Sequence, residues 1–420
     1  MDLNLALQDY ASFLIQAAVE IQKNNELIIQ ADVEQAPLVK HLVEAAYKAG
    51  AATVRVDWGM EAINRLHYQH QSEDRLSEVA PWLLTRYAQD CDRRRAILYV
   101  HSADPEALVG IDPALLSRIR QKHYAVLHPH RDRCDAQYVW VIAAAASPAW
   151  AAHVFPDLSP EAGTEALWQA IFKACGLDLE QGVEHAVQAW HKHQQTLERR
   201  AAQLSELDLR KLTYHSSNGT HFTCELIPGV RWGGGGESTQ VPSPWQQHFS
   251  PNVPTEEVFT SPFRGRAEGW VVATKPLSWN GQLIEQFRIR FEAGRAVEWS
   301  AERGEEALSA MLTLDEGAAY LGEVALVPQS SPIQQSGLLF HETLFDENAS
   351  CHLAVGRAFA DLLPGALDLS DEEKIAKGLN VSLSHVDFMI GSDDLCITAE
   401  DAKGQTHELF VNGEWAEAFR

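Results

Sequence analysis

Residues able to do metal or acid–base chemistry crowd into one stretch of this 420-residue chain, Phe340–His352. It reads Phe-His-Glu-Thr-Leu-Phe-Asp-Glu-Asn-Ala-Ser-Cys-His and holds the imidazoles of His341 and His352 with the carboxylates of Glu342, Asp346 and Glu347. Two other segments carry matching chemistry. Tyr320–Val327 puts the carboxylate of Glu323 at the mouth of an apolar strand, and Ser384–Phe388 carries His385 and Asp387 two residues apart. On a strand, residues i and i+2 point to the same side, so His385 and Asp387 can reach one site together. Carboxylates and imidazoles without cysteine form a borderline-hard donor set suited to zinc, cobalt or manganese. Where four or more such donors converge and one carboxylate bridges, they can hold two cations. Such a pair polarises a carbonyl and generates hydroxide near neutral pH. These residue types point to metal-dependent hydrolysis.

The elements that must position them follow from pattern. The run after His352, Leu-Ala-Val-Gly-Arg-Ala-Phe, reads as a helix, which puts His352 near a helix start. Asp346 and Glu347 then read as first-turn residues that complement a helix dipole rather than as catalysts. Glu323 adjoins a Val-Ala-Leu-Val run, where a charge needs a partner. Upstream, the turn Ser217-Asn218-Gly219 between two apolar runs predicts a β-hairpin, and strands dominate from there on. The second half, residues 206–420, is predicted as an α+β domain rich in antiparallel strands that carries the metal site. Gly233–Gly236, followed by Pro242 and Pro244, lacks the ending of a phosphate loop and reads as a loose connection or a flap.

The first half has a different rhythm. A helix over residues 8–23, strands at Glu26–Ala31 and Ala52–Asp57, and a helix over Ala36–Ala49 stopped by Gly50 give a β-α-β order. Two more buried strands fit at Ala96–Val100 and Tyr138–Ala143. This predicts an α/β domain with a parallel sheet over residues 1–205, ending in a polar linking helix, Gln181–Ser205. No GxGxxG or Walker lysine accompanies its strands, so nucleotide chemistry finds no support.

Composition narrows the function classes. A formal net charge of −24 argues against nucleic acid or an anionic membrane surface as a partner. The longest apolar run, Tyr138–Ala146, is too short to span a bilayer, and the N-terminal stretch reads as an amphipathic helix rather than a secretory leader. The six cysteines (Cys91, Cys134, Cys175, Cys224, Cys351 and Cys396) show no CxxC pair, which argues against a zinc ribbon, a dithiol or a disulfide scaffold. Cys351, beside His352, reads as packing. A reduced cytoplasm is the expected location.

Four segments carry a resemblance: Asn252–Pro262, Gly322–Pro328, Leu344–His352 and His385–Gly391. In order and spacing they are similar to the motifs of the thermophilic metalloaminopeptidases, the family of aminopeptidase T, aminopeptidase S and PepS. They span about 140 residues, and Trp150–Pro156 and Leu167–Phe172 extend the likeness loosely into the first half. The resemblance implies a homodimeric aminopeptidase that hydrolyses the N-terminal peptide bond through two divalent metal ions and a metal-bound hydroxide. Carried over position by position, it implies Glu257, Glu323, His352, His385 and Asp387 as metal ligands, with Glu256 the alternative to Glu257. Glu256, Glu323 and Glu342 are the candidates for the proton-transferring carboxylate. One position departs from the family, which usually has tyrosine where this chain has Phe359. Read on a helix, that position shares a face with His352, so a hydroxyl aimed at the site is lost. The competing expectation is a non-catalytic homologue that binds metal or peptide.

Overall fold

Apolar strands alternating with amphipathic helices open the chain, and they fold as that order requires. The computed structural model describes residues 1–420 except Ala103, Pro105, 133–136, 242–245 and Gly281, so Cys134, Pro242 and Pro244 lie outside the described residues. Two compact units emerge. The first comprises Met1–Gln194 with Gly236–Pro254, and the second comprises Gln195–Gly235 with Thr255–Arg420.

In the first unit, helix α1 (Leu3–Phe13) precedes β1 (Glu26–Asp32), α2 (Ala36–Ala49), β2 (Thr53–Gly59), β3 (Ala96–His101) and β4 (Trp140–Ala144). The sheet is parallel throughout, in the order Asn252–Val253, β4, β3, β1, β2. Helix α1 starts earlier than its apolar spacing predicts, because the Asp2 side chain accepts the Leu5 N–H and caps it. It runs on into a π-helical turn over Leu14–Ala18. Helix α2 ends as expected at Gly50, whose φ of +103° suits a residue without a Cβ. Cys91 is disulfide-bonded, which its isolated place in the sequence did not announce, whereas Cys175, Cys224, Cys351 and Cys396 are free.

Helix α3 (Val183–Glu206) is the polar linking helix, and strands follow it. They are β5 (Leu209–His215), β6 (His221–Leu226), β7 (Gly233–Gly234), β8 (Val258–Thr260), β9 (Pro262–Val272), β10 (Arg288–Glu292) and β11 (Arg295–Ser300). Then come β12 (Leu321–Leu326), β13 (His352–Gly356), β14 (His385–Met389), β15 (Cys396–Asp401), β16 (Thr406–Val411) and β17 (Glu414–Trp415). Two antiparallel sheets result. One has eight strands, ordered β11-β10-β9-β6-β5-β15-β16-β17, and the other has five, ordered β14-β13-β12-β8-β7.

The two sheets share a core. Val324, Leu326, Leu353, Val355 and Phe388 of the five-stranded sheet join Leu212, Tyr214, Phe222, Ile289 and Phe291 of the larger one in a single apolar cluster. The Phe287 and Phe388 rings meet at 5.9 Å. Because side chains alternate along a strand, committing Val324, Leu353 and Phe388 to this core turns their neighbours Glu323, His352 and Asp387 to the opposite face. Glycines let the strand ends close up. Gly356 has a φ of +107°, and a Cβ there would stand 2.1 Å from the Ser384 carbonyl oxygen.

That geometry sets an expected outcome. Gly356→Ala should destabilise the protein by at least about 2 kcal/mol, since it adds a clash to a left-handed backbone. Gly404→Ala, at a φ of +79° with nothing within 4 Å, should cost only the backbone strain, about 1 kcal/mol. Urea midpoints at unchanged slope would measure both.

Candidate metal centre

The face of the five-stranded sheet turned away from the shared core is built in rows. Phe259, Ala325, His352 and Met389 stand opposite one another across β8, β12, β13 and β14. The next row is Glu323, Ala354 and Asp387, and the third pairs Gly356 with His385. Residues directly opposite share a face with Cβ atoms about 4.5–5.5 Å apart, so these side chains converge without any loop having to bring them together.

His352 is therefore not at a helix start. It is the first residue of β13, and Leu353–Gly356 continue as strand, buried throughout. The pattern misled because a strand with neighbours on both sides and cover on both faces needs no polar alternation. The helical argument for Phe359 falls with it, yet the ring still reaches the centre. Ser261 holds its backbone, accepting the Phe359 N–H at 2.9 Å, and the ring lies 5.1 Å from the His385 ring. Cys351 points away from the site, as neighbours on a strand do. Its thiol is fixed between the Val327 N–H and carbonyl, and burial pushes it up to about 12.

The donors form two groups, Glu257 with Glu323 and His352, and Glu323 with His385 and Asp387. His352 Nε2 lies 3.2 Å from Glu257 Oε2 and 3.9 Å from Glu323 Oε1. His385 Nε2 lies 3.0 Å from Glu323 Oε2 and 3.3 Å from Asp387 Oδ1. Glu323 thus belongs to both groups, one oxygen toward each. Donors around a zinc-sized ion with bonds of about 2.0–2.1 Å stand about 3.3 Å apart, so these separations suit a cation at each group.

Hydrogen bonds outside the groups fix which nitrogen faces in. His352 Nδ1–H donates to the Ser350 carbonyl at 3.0 Å, and His385 Nδ1–H donates to the Arg357 carbonyl at 2.7 Å. A carbonyl can only accept, so each neutral ring turns the lone pair of Nε2 toward carboxylate oxygens. Lone pairs facing carboxylates repel unless a proton or a cation lies between them. Asp387 Oδ1, buried and near His385, accepts no hydrogen bond. The donor chemistry fits divalent cations.

Protonation is the alternative way to relieve that repulsion, and the same surroundings favour it on both rings and on Glu323. Burial opposes charge on His352, but Glu257, Glu323 and Asp387 outweigh it and raise the ring to about 9. Asp387 and Glu323 likewise hold His385 well above its ordinary value against burial. Burial pushes Glu323 up to about 7, with Asp387 and Glu257 adding to the shift. The carboxylates outnumber the imidazoles, and the excess is what a divalent pair would neutralise.

Asp346 lies in the first turn of the short helix Thr343–Asp346, as its place predicts, but it does more than complement a dipole. It is buried, accepts the N–H groups of Phe340 (2.9 Å) and Glu342 (3.2 Å), and is pushed up to about 7 by burial. Glu347, in the 3₁₀ turn Glu347–Ala349, was missed as part of the centre. Burial holds its proton well above the usual range, and Asp387, Glu257 and Glu323 add to the effect. The available signal was its place five residues before His352, in the same motif as a donor. Glu256 belongs to neither group. Its N–H donates to the buried Asn348 Oδ1 at 2.7 Å, which anchors the approach to Glu257.

Comparison with known proteins bears on this geometry. The pattern of the thermophilic metalloprotease family (M29) matches residues 4–415. This chain belongs to that family. It is accordingly a metal-dependent hydrolase of peptide bonds. Similar relatives include aminopeptidase 2 of Geobacillus stearothermophilus, 38% identical over 98% of this chain and 97% of that one. Aminopeptidase PepS of Streptococcus thermophilus is 39% identical over 97% of each. Wild-type AmpT of Thermus thermophilus superposes with a TM-score of 0.88 at 36% identity, covering 98% of this chain and 99% of its own. The metalloprotease fold is thus shared from end to end, including the parallel first sheet and the antiparallel sheets of the second unit.

The raised groups set a pH dependence with a definite sign. In the metal-free protein the folded state holds these protons more tightly than the unfolded chain does. The contribution of Glu323 and Asp346 is full below about pH 4 and lost as pH rises through about 7. That of His352 is full below about 6.5 and lost as pH rises through about 9. Metal-free melting temperatures should therefore fall between pH 6 and 9. Ligation releases the protons of Glu323 and His352, so zinc or cobalt should stabilise more strongly as pH rises. Melting curves with and without metal across that range check both trends.

Proposed function

We propose that this metalloprotease is an aminopeptidase with a two-cation centre. Glu257, Glu323 and His352 would hold one divalent ion, and Glu323, His385 and Asp387 the other, with zinc, cobalt or manganese suited to such donors. The observation that carries this reading is the shared carboxylate: Glu323 Oε1 faces His352 while Glu323 Oε2 faces His385. When bound, such a pair supplies Lewis acidity toward a scissile carbonyl and makes hydroxide available near neutral pH. The aminopeptidase names of the relatives support action at a free N-terminus.

Within this reading the remaining side chains have distinct tasks. The backbone carbonyls of Ser350 and Arg357 hold the two imidazoles with Nε2 inward. Glu347 is the carboxyl best suited to carry a proton from the attacking water to the departing amine. It lies in the field of Glu257, Glu323 and Asp387 without belonging to either donor group. Glu323 is committed to both groups, and Glu256 stands outside them. Family resemblance extends the proposal to a homodimer acting in the cytoplasm.

A second reading has one observation behind it. Phe359 lies against His385 with no hydroxyl to offer a developing oxyanion, which favours a centre kept for binding rather than turnover.

A peptide assay separates the two. Release of the N-terminal residue from a short peptide panel would be followed after metal removal and reloading with zinc, cobalt or manganese. The aminopeptidase reading expects activity that returns with metal and is lost in His352→Ala. No release with any metal, despite stoichiometric binding, sinks it in favour of the binding reading. In the active case Phe359→Tyr should raise kcat by about a hundredfold with KM little changed, because the added donor acts on the transition state.

A further inference from the structure

The rows of the metal-binding face contain two alanines whose positions the reading above does not use. Ala354 stands directly between Glu323 and Asp387 across three strands. Ala325 stands opposite His352 and two residues along the same strand from Glu323. Both are sealed from solvent, at 0% and 1% exposure, although each carries only a methyl group. Opposite Cβ atoms in a ladder are about 4.5–5.5 Å apart, so donor stems rise on both sides of Ala354, while Ala325 has the His352 stem opposite it and Glu323 two residues along its own strand.

The two alanines divide the donors as the two groups do. Ala354 is flanked by Glu323 and Asp387, two of the three donors of one group, and its strand neighbour Gly356 faces His385, the third. Ala325 is flanked by His352 and Glu323, two of the three donors of the other. The orphaned, buried Asp387 Oδ1 belongs to the Ala354 side. Larger residues stand at the two ends of the first row, Phe259 opposite Ala325 and Met389 opposite His352. The interior positions of these two rows that carry no donor are both alanine.

We infer that Ala354 and Ala325 are separate floors for the two cations, so that each position can be closed on its own without removing a ligand. This rests on the two-cation reading. A longer side chain at either alanine fills the room between the donor stems, where packing at interior density leaves no space for both. The shared Glu323 keeps its other oxygen for the remaining ion.

The test uses the full chain and zinc or cobalt alone, with ions per chain counted by calorimetric titration and by elemental analysis after dialysis. The native chain should take up two ions, and Ala354→Leu and Ala325→Leu one each. In Ala354→Leu, adding His385→Ala should leave the count at one, whereas adding His352→Ala should bring it to none. Ala325→Leu should show the reverse. Ala354→Ser and Ala325→Ser should retain two ions, and Ala354→Val and Ala325→Val replace the leucine variants if those do not melt cooperatively. A native chain that takes up two beside closed variants that take up two or none overturns this inference alone. A native chain that takes up fewer than two overturns the two-cation reading and the inference with it.

Discussion

Glu323 is the point on which the centre depends, because it is a buried carboxylate answerable to two imidazoles at once. Desolvating a carboxylate is unfavourable unless charge or hydrogen bonds offset it. Here the nearest offsetting groups are His352 and His385, and both present a nitrogen whose lone pair must be filled. Take away protons and cations together, and Glu257, Glu323, Asp387 and the two rings repel one another inside an apolar surround. The site is stable only when occupied by positive charge, as protons when metal is absent. That constraint explains why Glu323, His352 and His385 combine raised proton affinities with metal-like spacing.

The sheet is what makes such crowding tolerable. Glu323, His352, His385 and Asp387 stand on strands whose opposite face is committed to a deep core, so the strands cannot turn to relieve the repulsion without exposing Val324, Leu353 or Phe388. Register does the rest. A slip of one residue along β13 would send His352 into the core and Leu353 onto the site, so the ladder itself specifies the centre. The backbone carbonyls that orient the rings come from the residues flanking the strands, which ties the choice of nitrogen to the same register.

Much of this could be read from the sequence, and the failures have a common physical cause. The parallel strands of the first half, the Gly50 stop and the Asn-Gly hairpin follow from local patterns of periodicity and capping, whereas the five candidate donors came from a resemblance of motifs rather than from spacing. The strand at His352–Gly356 did not follow from local pattern, because Leu-Ala-Val-Gly covered on both faces carries no period that separates strand from helix. Glu347 escaped for a related reason. A carboxylate at the start of a short turn looks the same in sequence whether it faces solvent or other carboxylates, and only tertiary packing decides. Asp346 is a first-turn residue as its place predicts, but nothing local announces that its oxygens serve the Phe340 and Glu342 N–H groups. Interactions between distant segments were the part that one-dimensional pattern could not supply.

The short strand Asn252–Val253 adds to the edge of the first sheet beside β4, although it follows β4 by more than a hundred residues of chain. Ser250 and Gln247 reinforce the return, through bonds to Trp190 Nε1 and to the Ala18 and Val19 carbonyls. During synthesis from the N-terminus, the first unit must wait for residue 253 to leave the ribosome before its sheet is complete. Until then β4 is a bare edge, open to pairing with other chains. Its last strand is laid down only four residues before Glu257, so completion of the first unit and arrival of the first donor are nearly simultaneous events. The two halves of the sequence are not separable modules in time, and a gene fragment ending at the linking helix encodes an unfinished sheet.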